Sequence, residues 1–450
     1  MRSIIPEKLY SLALSLPAPL YVVGGSVRNF LANLESCETD WDICSPMSAD
    51  DFSNYAQAQG FHVSAIYRNT GTVKLRDTNG VDYEYSCFRS DKYVRGTHVP
   101  VEIFFTDDIL LDARRRDFTA NAVYYNIAAN KYEDPLDGIT AIKERRLTTV
   151  APAEKVFGED GLRLMRLARQ SAQTGFNPDS DCLSGATENA ALIKDISPER
   201  IFSELNAILY ADEKYGNTDG PYQGLSLMVK TGVLGYILPE LYIGKGVQQR
   251  ADFHKYDVLE HSLHAVKYAH KNIRLAALLH DIGKPYCLQK DGNFYQHPIE
   301  GATLSKTILQ RLKASKRDIE RIPALVEWHM YDLDCKTSEN KLRRFFVLHF
   351  DILDDLLLIK QADFSACMDD LSPAPTRLKW EALLQKMHQE QVPFTLKDLA
   401  VSGTDILALG IEPKHVATIL HELLLHTATQ PKDNFKERLQ RLALVIYKNL

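Results

Sequence analysis

Two carboxylates, two glycines and an arginine near the start of this 450-residue chain carry the clearest chemistry. They lie in VVGGSVRNFLANLESCETDWD, residues 22–42, where Asp40 and Asp42 flank Trp41. On a β-strand, side chains i and i+2 point to one face. Two carboxylates roughly 6–7 Å apart can share a pair of divalent ions about 4 Å apart. Gly24 and Gly25 permit a tight turn and let backbone amides approach a ligand. Ser26 is placed to cap the helix that follows, and the free amides at that helix start suit a phosphate. Arg28 adds positive charge one turn in. The stretch predicts a strand, a turn, a helix and a second strand ending in Asp-x-Asp. A triphosphate cradle followed by a two-carboxylate metal platform is what nucleotidyl transfer requires. Taken singly, glycine pairs and Asp-x-Asp are also ordinary parts of turns and strands.

Three further groupings carry polar chemistry. In RRRDFTANAVYYN (114–126), three arginines precede an acid and a predicted helix with Ala122, Val123 and Tyr125 for packing. In GEDGLRLMRLARQSAQTGF (158–176), Asp160, Arg163, Arg166 and Arg169 are spaced by three on a predicted helix, with Leu162, Met165 and Leu167 free to face a core. That spacing fits exposed ion pairs of little energetic worth. It equally fits base reading. A carboxylate accepts from the exocyclic amino group of C or A, and a guanidinium donates to ring or carbonyl acceptors. The third grouping is His254, His261, His280-Asp281 in a leucine-rich helix (RLAALLHDIGK), His297, His329 and Asp363. Imidazole and carboxylate together suit a divalent transition metal. His264, His270 and His349 read as ordinary core or surface residues.

These residues need elements to hold them. Residues 1–20 predict a helix packed on a sheet, and 50–60 a second helix stopped by glycine. HVSAIY, GTVKLRD and VDYEYSCFR, within 62–89, alternate as strands. Glu84 among them reads equally as a third metal carboxylate or as a solvent-facing residue. Residues 90–100 read as a mobile loop. A polar linker is expected at 212–220, and two or three amphipathic helices close the chain. The composition, 25% charged and 45% hydrophobic, is that of a soluble protein. No run of 18 apolar residues predicts a membrane span. Seven scattered cysteines without a Cys-x-x-Cys pair fit a reducing compartment, and the expected location is cytoplasmic. A net charge of −6 argues against indiscriminate nucleic-acid binding and leaves room for a local basic face.

In order and spacing, these motifs resemble the class II tRNA nucleotidyltransferases, the family of CCA-adding enzymes and poly(A) polymerases. Gly-Gly-x-Val-Arg, Asp-x-Asp, Arg-Arg-Asp-Phe-Thr-x-Asn-Ala, Glu-Asp-x-x-Arg and Glu-Arg-x-x-x-Glu-Leu occur in turn between residues 20 and 245. Asn29 departs from the family's Asp, and Asp137 from a glycine in Asp-Pro-x-Gly-Gly, with Asp134 assigned to structure. The histidine set resembles the HD phosphohydrolases.

The resemblance implies an α+β fold. A polymerase-beta-like head with a mixed sheet (1–145) would precede an all-α neck and body (146–250), an HD domain (251–370) and a tRNA-binding tail (371–450). It implies addition of CMP, CMP and AMP to the tRNA 3′ end from CTP and ATP. Asp40 and Asp42 would be catalytic and hold two Mg²⁺ ions. Gly24, Gly25, Arg28, Arg116, Arg166 and Arg169 would position the triphosphate. Asp117, Thr119 and Asn121 would shape the sugar site, and Asp160 and Arg163 would read the base. Glu199 and Arg200 would be structural. His261, His280, Asp281 and Asp363 would hold one ion in the HD domain, with His297 and His329 completing a second. Lys397, Lys414, Lys432, Lys436 and Arg438 are candidate phosphate contacts of the tail and read equally as ordinary solvated charges. An enzyme adding only CC or only A, a poly(A) polymerase, and an HD phosphohydrolase with a regulatory nucleotide-binding head are the alternatives.

Overall fold

The computed structural model describes residues 1–34, 40–94 and 100–450, with Asp40 described for its backbone alone. The chain forms two compact units, Met1–Tyr242 with Arg311–Ala314, and Ile243–Gln310 with Ser315–Leu450.

Among the described residues the first unit holds eleven strands: β1 (Tyr21–Val22), β2 (Asp40–Ser45), β3 (His62–Tyr67), β4 (Thr72–Arg76), β5 (Asp82–Cys87), β6 (Arg89–Lys92), β7 (Glu102–Phe105), β8 (Tyr124–Asn126), β9 (Lys131–Glu133), and the short parallel pair β10 (Arg146–Leu147) and β11 (Asn177–Pro178). Seven form one sheet in the order β3-β4-β5-β2-β1-β8-β9. Within it only β2 and β5 run parallel, so the sheet is mixed. Period-2 patterning sets its faces. Tyr83, Tyr85 and Cys87 are buried while Glu84 between them is exposed. Helix α1 (Glu7–Ser15) and helix α3 (Ala49–Ala58) belong to this unit. Phe52 of α3 stacks on Tyr85 with ring centroids 3.6 Å apart. Burial of such a side chain stabilises by about 1.5–3 kcal/mol. Asp42 and Glu84 are register partners across β2 and β5, both exposed.

Several expectations are corrected. Asp-x-Asp begins β2 rather than ending it, because Trp41, Ile43 and Cys44 continue as buried strand residues. Ser26 does not cap: Gly24, at φ 79°, is the N-cap of α2 (Gly25–Leu31), and Ser26 lies inside it. The loop expected at 90–100 is partly strand, since Ser90, Asp91 and Lys92 of β6 pair with β7; residues 95–99 lie outside the described residues. After helix α4 (Ile109–Arg114), the helix expected near Tyr125 is one 3₁₀ turn, Thr119–Asn121, followed by β8. Tyr124 and Tyr125 are strand formers buried between β1 and β9. Asp137 takes the left-handed conformation, φ 55°, that a glycine would provide before α5 (Gly138–Lys143). Asp134 is structural, accepting from the Gly138 and Ile139 amides at 2.7 and 2.8 Å.

The long helix expected over 158–176 is two. Helix α6 (Ala153–Glu159) stops at Asp160, which is extended, and α7 (Leu162–Thr174) begins two residues later. Leu162, Met165 and Leu167 are buried as expected. Helices Ser180–Asn189 and Pro198–Leu209 follow, and helix Asp212–Tyr215 stands where a linker was expected. The second unit is helical. Among the described residues no helix is long and apolar enough to cross a membrane, and six cysteines are free thiols.

Candidate active site

The first unit contains a polar cavity of about 500 Å³. Gly24, Gly25 and Arg28 of the glycine turn, Asp42, Arg116, Asp117 and Asn121, and Asp160, Arg163, Arg166 and Arg169 all line it. A Cβ on Gly24 would sit 3.1 Å from Asp42 Oδ2, so only glycine lets the turn approach that carboxylate at this φ. Asp40 opens β2 opposite Asp82; its side chain lies outside the described residues. Glu84, opposite Asp42, has Lys74 Nζ 3.7 Å away and is not on the cavity wall. Thr119 is also off the wall, buried, with a hydroxyl that has no hydrogen-bond partner.

Polar contacts hold the cationic wall in place. Arg28 is buried and donates to Asn29, Asn121 and Gln170. Asn29 thus keeps the acceptor role of the acid it replaces, and its amide donates to Tyr215 Oη at 2.8 Å. Asp117 accepts from Asn121 at 2.9 Å and pairs with Arg166 at 2.8 Å. Burial pushes this carboxyl up, but Arg166 and Asn121 outweigh it and hold the group at about 2. Arg169 pairs with Glu204 at 2.6 Å. The Arg163 guanidinium donates to the carbonyls of Val156 and Arg115 at 3.0 and 2.8 Å, and to Glu159 at 3.1 Å. Asp160 Oδ1 accepts from the Leu162 amide at 2.9 Å. Arg116 donates to Asp112 and to Tyr124 Oη, both at 3.0 Å. Asp112, fully buried, also takes Arg115 at 2.7 Å. Burial raises its pKa and the Arg116 and Arg115 charges lower it, with a net value of about 2.

The second unit gathers all six expected metal-ligand candidates. His280 and His329 sit at helix C-caps, and His297 starts a helix. Each ring points Nδ1 at the carbonyl three residues back, Ala277, Val326 and Phe294, at 2.6–2.7 Å. Neutral rings so held present a lone pair at Nε2. Yet His261 Nε2 lies 3.2 Å from His280 Nε2, and His297 Nε2 lies 3.3 Å from His329 Nε2. His297 and His329 are both held at Nδ1, so neutral rings would set their Nε2 lone pairs against each other, which a shared proton or a metal ion relieves. Asp363 Oδ1 is 3.0 Å from His261, and Asp281 Oδ2 is 3.4 and 3.3 Å from His261 and His280. Asp281 Oδ1 turns to His297 and His329, at 3.2 and 3.7 Å, without a well-aligned hydrogen bond. Although burial opposes it, Asp281 and Asp363 push His280 up to about 10, a measure of the site's demand for positive charge. The donor set fits a divalent transition metal. At the sheet, the hard oxygens of Asp42 and its neighbours fit an oxygen-preferring ion.

Comparison with known proteins gives family matches along the chain. The poly(A) polymerase head domain family matches residues 20–148, the family described as a probable RNA and SrmB-binding site of polymerase A matches 175–243, and the HD domain family matches 258–356. An A-adding tRNA nucleotidyltransferase of Deinococcus radiodurans is 29% identical over 417 residues, covering 88% of each chain. A CC-adding tRNA nucleotidyltransferase of Thermus thermophilus is 30% identical over 413 residues, covering 87% of this chain and 85% of the relative. The chain belongs to the tRNA nucleotidyltransferase family. The crystal structure of the Bacillus stearothermophilus CCA-adding enzyme in complex with CTP shares the fold, with a TM-score of 0.68, 22% identity and 98% coverage of both chains.

Reading the sequence of this nucleotidyltransferase missed several cavity residues. Arg89, Asp91 and Tyr93 come from β6 and the residues after it, and Lys214 and Tyr215 from the expected linker. Gln170 and Gln173 share the cavity face of α7 with Arg166, and the three-residue spacing of the arginines drew attention from them. Asp112 carried a usable signal, an acid three and four residues before Arg115 and Arg116. Glu204 was visible as the last acid of Glu-Arg-x-x-x-Glu-Leu; Glu199 and Arg200, the pair assigned to structure, are exposed. The nucleotidyltransferase's His280-Asp281 pair lies just past a helix end rather than within one. Lys284, unflagged, reaches Asp281 Oδ2 at 2.6 Å. In the tail, Lys414, Lys436 and Arg438 pair with Glu412, Asp405 and Asp433.

Proposed function

We propose that this chain completes the 3′ end of tRNA, adding CMP, CMP and AMP from CTP and ATP with release of pyrophosphate. The observation that carries the reading is the one cavity in which the glycine turn, Asp42, Asp117, Asn121, Asp160 and seven guanidiniums meet. Divalent ions at Asp40 and Asp42, with Mg²⁺ the ion such oxygens suit, supply activation of the attacking hydroxyl and neutralisation of the leaving group when bound. The Gly24–Gly25 turn and the start of α2 offer amides to the triphosphate. Arg166 and Arg169 present charge to it, with Arg28 and Arg116 behind them. Asp117 and Asn121 orient the sugar. Asp160 accepts from the amino group of C or A and Arg163 donates beside it. Arg163's contacts to two carbonyls and Glu159 hold its plane before the base arrives, and so lower the entropy cost of reading it. U and G present a different pattern on that edge. Both relatives at 29–30% identity add nucleotides to tRNA, one A and the other CC, which supports the reaction class.

The test uses tRNA transcripts ending at the discriminator base, at C and at CC. Each is incubated with the enzyme, Mg²⁺ and CTP, ATP or both, and product length is read on a gel. Completion of all three to CCA is expected. Growth of one substrate alone would replace the proposal with a CC-only or A-only enzyme, and growth of none would remove it. A second reading rests on the buried histidine cluster. In it, His261, His280, Asp281 and Asp363 hold one divalent ion, His297 and His329 complete another, and bound water is activated against a phosphate ester. Hydrolysis of a nucleoside monophosphate, lost in Asp281→Asn, is its expected signature; equal rates in the variant would refute it.

A further inference from the structure

His261 spends only one edge of its ring on the cluster described above. Its Nε2 faces His280 and Asp363. Its Nδ1 is buried and has no hydrogen-bond partner, in a residue that is wholly buried. Buried ring nitrogens are nearly always satisfied, and an orphan calls for a ligand. His254 repeats the pattern: its Nδ1 is also buried without a partner, and its ring stands 5.0 Å from that of His261 at 88°. The third member is Cys367, one helical turn beyond Asp363 on helix Leu353–Met368 and therefore on the same side. One donor atom from each of His254, His261 and Cys367 lies within 4.8 Å of the other two.

The backbone holds this grouping together. The Lys255 amide donates to the Cys367 carbonyl at 2.8 Å, tying the residue after His254 to the main chain of the cysteine. Asp369 takes Lys255 Nζ at 2.8 Å and Tyr256 Oη at 2.6 Å, clamping the same segment to the end of that helix. The His254 amide donates to Arg250 at 2.9 Å. His254, Phe364 and Cys367 line a cavity of about 1060 Å³, which gives an ion a route in and leaves a coordination position facing water.

We propose that His254, His261 through Nδ1, and Cys367 form a site for a borderline-soft divalent ion of the zinc class, joined to the neighbouring cluster by the His261 ring. Two imidazoles and a thiolate are the donors such an ion takes, with a fourth position open to solvent, and they do not suit Mg²⁺ or Ca²⁺. Binding converts the Cys367 thiol to a metal-bound thiolate and, where Nε2 also ligates an ion of the cluster, the His261 ring to a bridging imidazolate, releasing both protons to solvent. The proposal depends neither on nucleotide addition nor on hydrolysis at the cluster.

The test loads the full chain, first stripped with a chelator, with Co²⁺. A sulfur-to-cobalt charge-transfer band in the near ultraviolet is expected, because only a thiolate ligand gives one and the cluster itself offers only nitrogen and oxygen. Cys367→Ser should abolish the band and lower bound zinc by about one ion per chain, while Asp363→Asn should keep the band. No band in the unmodified chain, or a band unchanged in Cys367→Ser, would overturn the proposal. Loss of the band in Asp363→Asn would overturn it too, by assigning the thiolate to the cluster. A measurement without substitution stands beside these. Zn²⁺ should slow alkylation of Cys367 by iodoacetamide about tenfold or more, read on the peptide by mass spectrometry, and an unchanged rate would refute the site.

Discussion

Replacing Asp112 by Asn tests whether buried charge pairing holds the cationic wall of the nucleotide cavity. Asp112 is fully buried and accepts from Arg115 at 2.7 Å, Arg116 at 3.0 Å and Tyr124 Oη at 2.6 Å. Its folded-state pKa is depressed from 3.8 to about 2. That difference corresponds to about 2 kcal/mol of stability, present above the unfolded value of about 3.9 and lost as pH falls towards 2. Removing one partner of a buried pair costs about 3–5 kcal/mol when the other charge is stranded. Asparagine keeps a carbonyl oxygen for one donor, so the lower figure governs. At neutral pH, amide exchange in residues 109–126 should speed about 30-fold through local opening, equivalent to about 2 kcal/mol. At pH 3 the gap should narrow, because Asp112 in the unfolded chain is then protonated. KM for the nucleotide should rise as Arg115 and Arg116 lose their fixed positions. Exchange within threefold of the parent at neutral pH would refute the argument.

Gly24→Ala should cut nucleotide addition at least about tenfold with little change in melting temperature, since the new methyl meets Asp42 Oδ2 in a turn at φ 79°; a parental rate would refute the close approach. Arg163→Lys keeps the charge but loses the planar fork, so discrimination of CTP and ATP against UTP and GTP should fall about 10–100-fold. Unchanged selectivity would remove Arg163 from base reading. Chelation of the full chain should lower the melting temperature of the helical unit by several degrees, because facing Nε2 lone pairs and two buried carboxylates then lose their cation. A melting curve indifferent to chelator would argue that protons alone satisfy the cluster. Gly138→Ala should destabilise the head, because its Cβ would fall 2.2 Å from the Thr119 carbonyl. A melting temperature equal to the parent's would show that this turn can give way.

The head's sheet was legible because its signal is local. HVSAIY, TVKLR and DYEYSC alternate with period 2 around short turns, and β3, β4 and β5 follow them closely. The glycine turn and Asp42 were legible for the same reason, since the chemistry and the turn lie in one stretch. What failed was continuity. Spacing by three made Asp160, Arg163, Arg166 and Arg169 look like one helix face. Spacing carries no information about where a helix starts, and the start decides what Asp160 does. With α7 beginning at Leu162, Asp160 is extended and its carboxylate accepts the Leu162 amide at the start of that helix, while Arg163 turns inward to the Val156 and Arg115 carbonyls. The break therefore sets the carboxylate and the guanidinium in different backbone conformations, which one helical face could not do.

Partners distant in sequence were the other blind spot. Asn29 read alone was a lost charge. In the fold it takes two hydrogen bonds from Arg28 and gives one to Tyr215, 186 residues away, in a segment whose polarity had suggested a linker. Such a pairing is a property of the packed molecule, because no spacing rule links positions that far apart. The histidine cluster shows the opposite case. Six scattered residues could be grouped beforehand because their order resembles the HD phosphohydrolases, and because imidazole and carboxylate together suit a divalent metal. Residues whose types admit only a few environments are therefore legible at a distance, whereas glutamine, tyrosine and lysine acquire their roles only from what folding sets beside them.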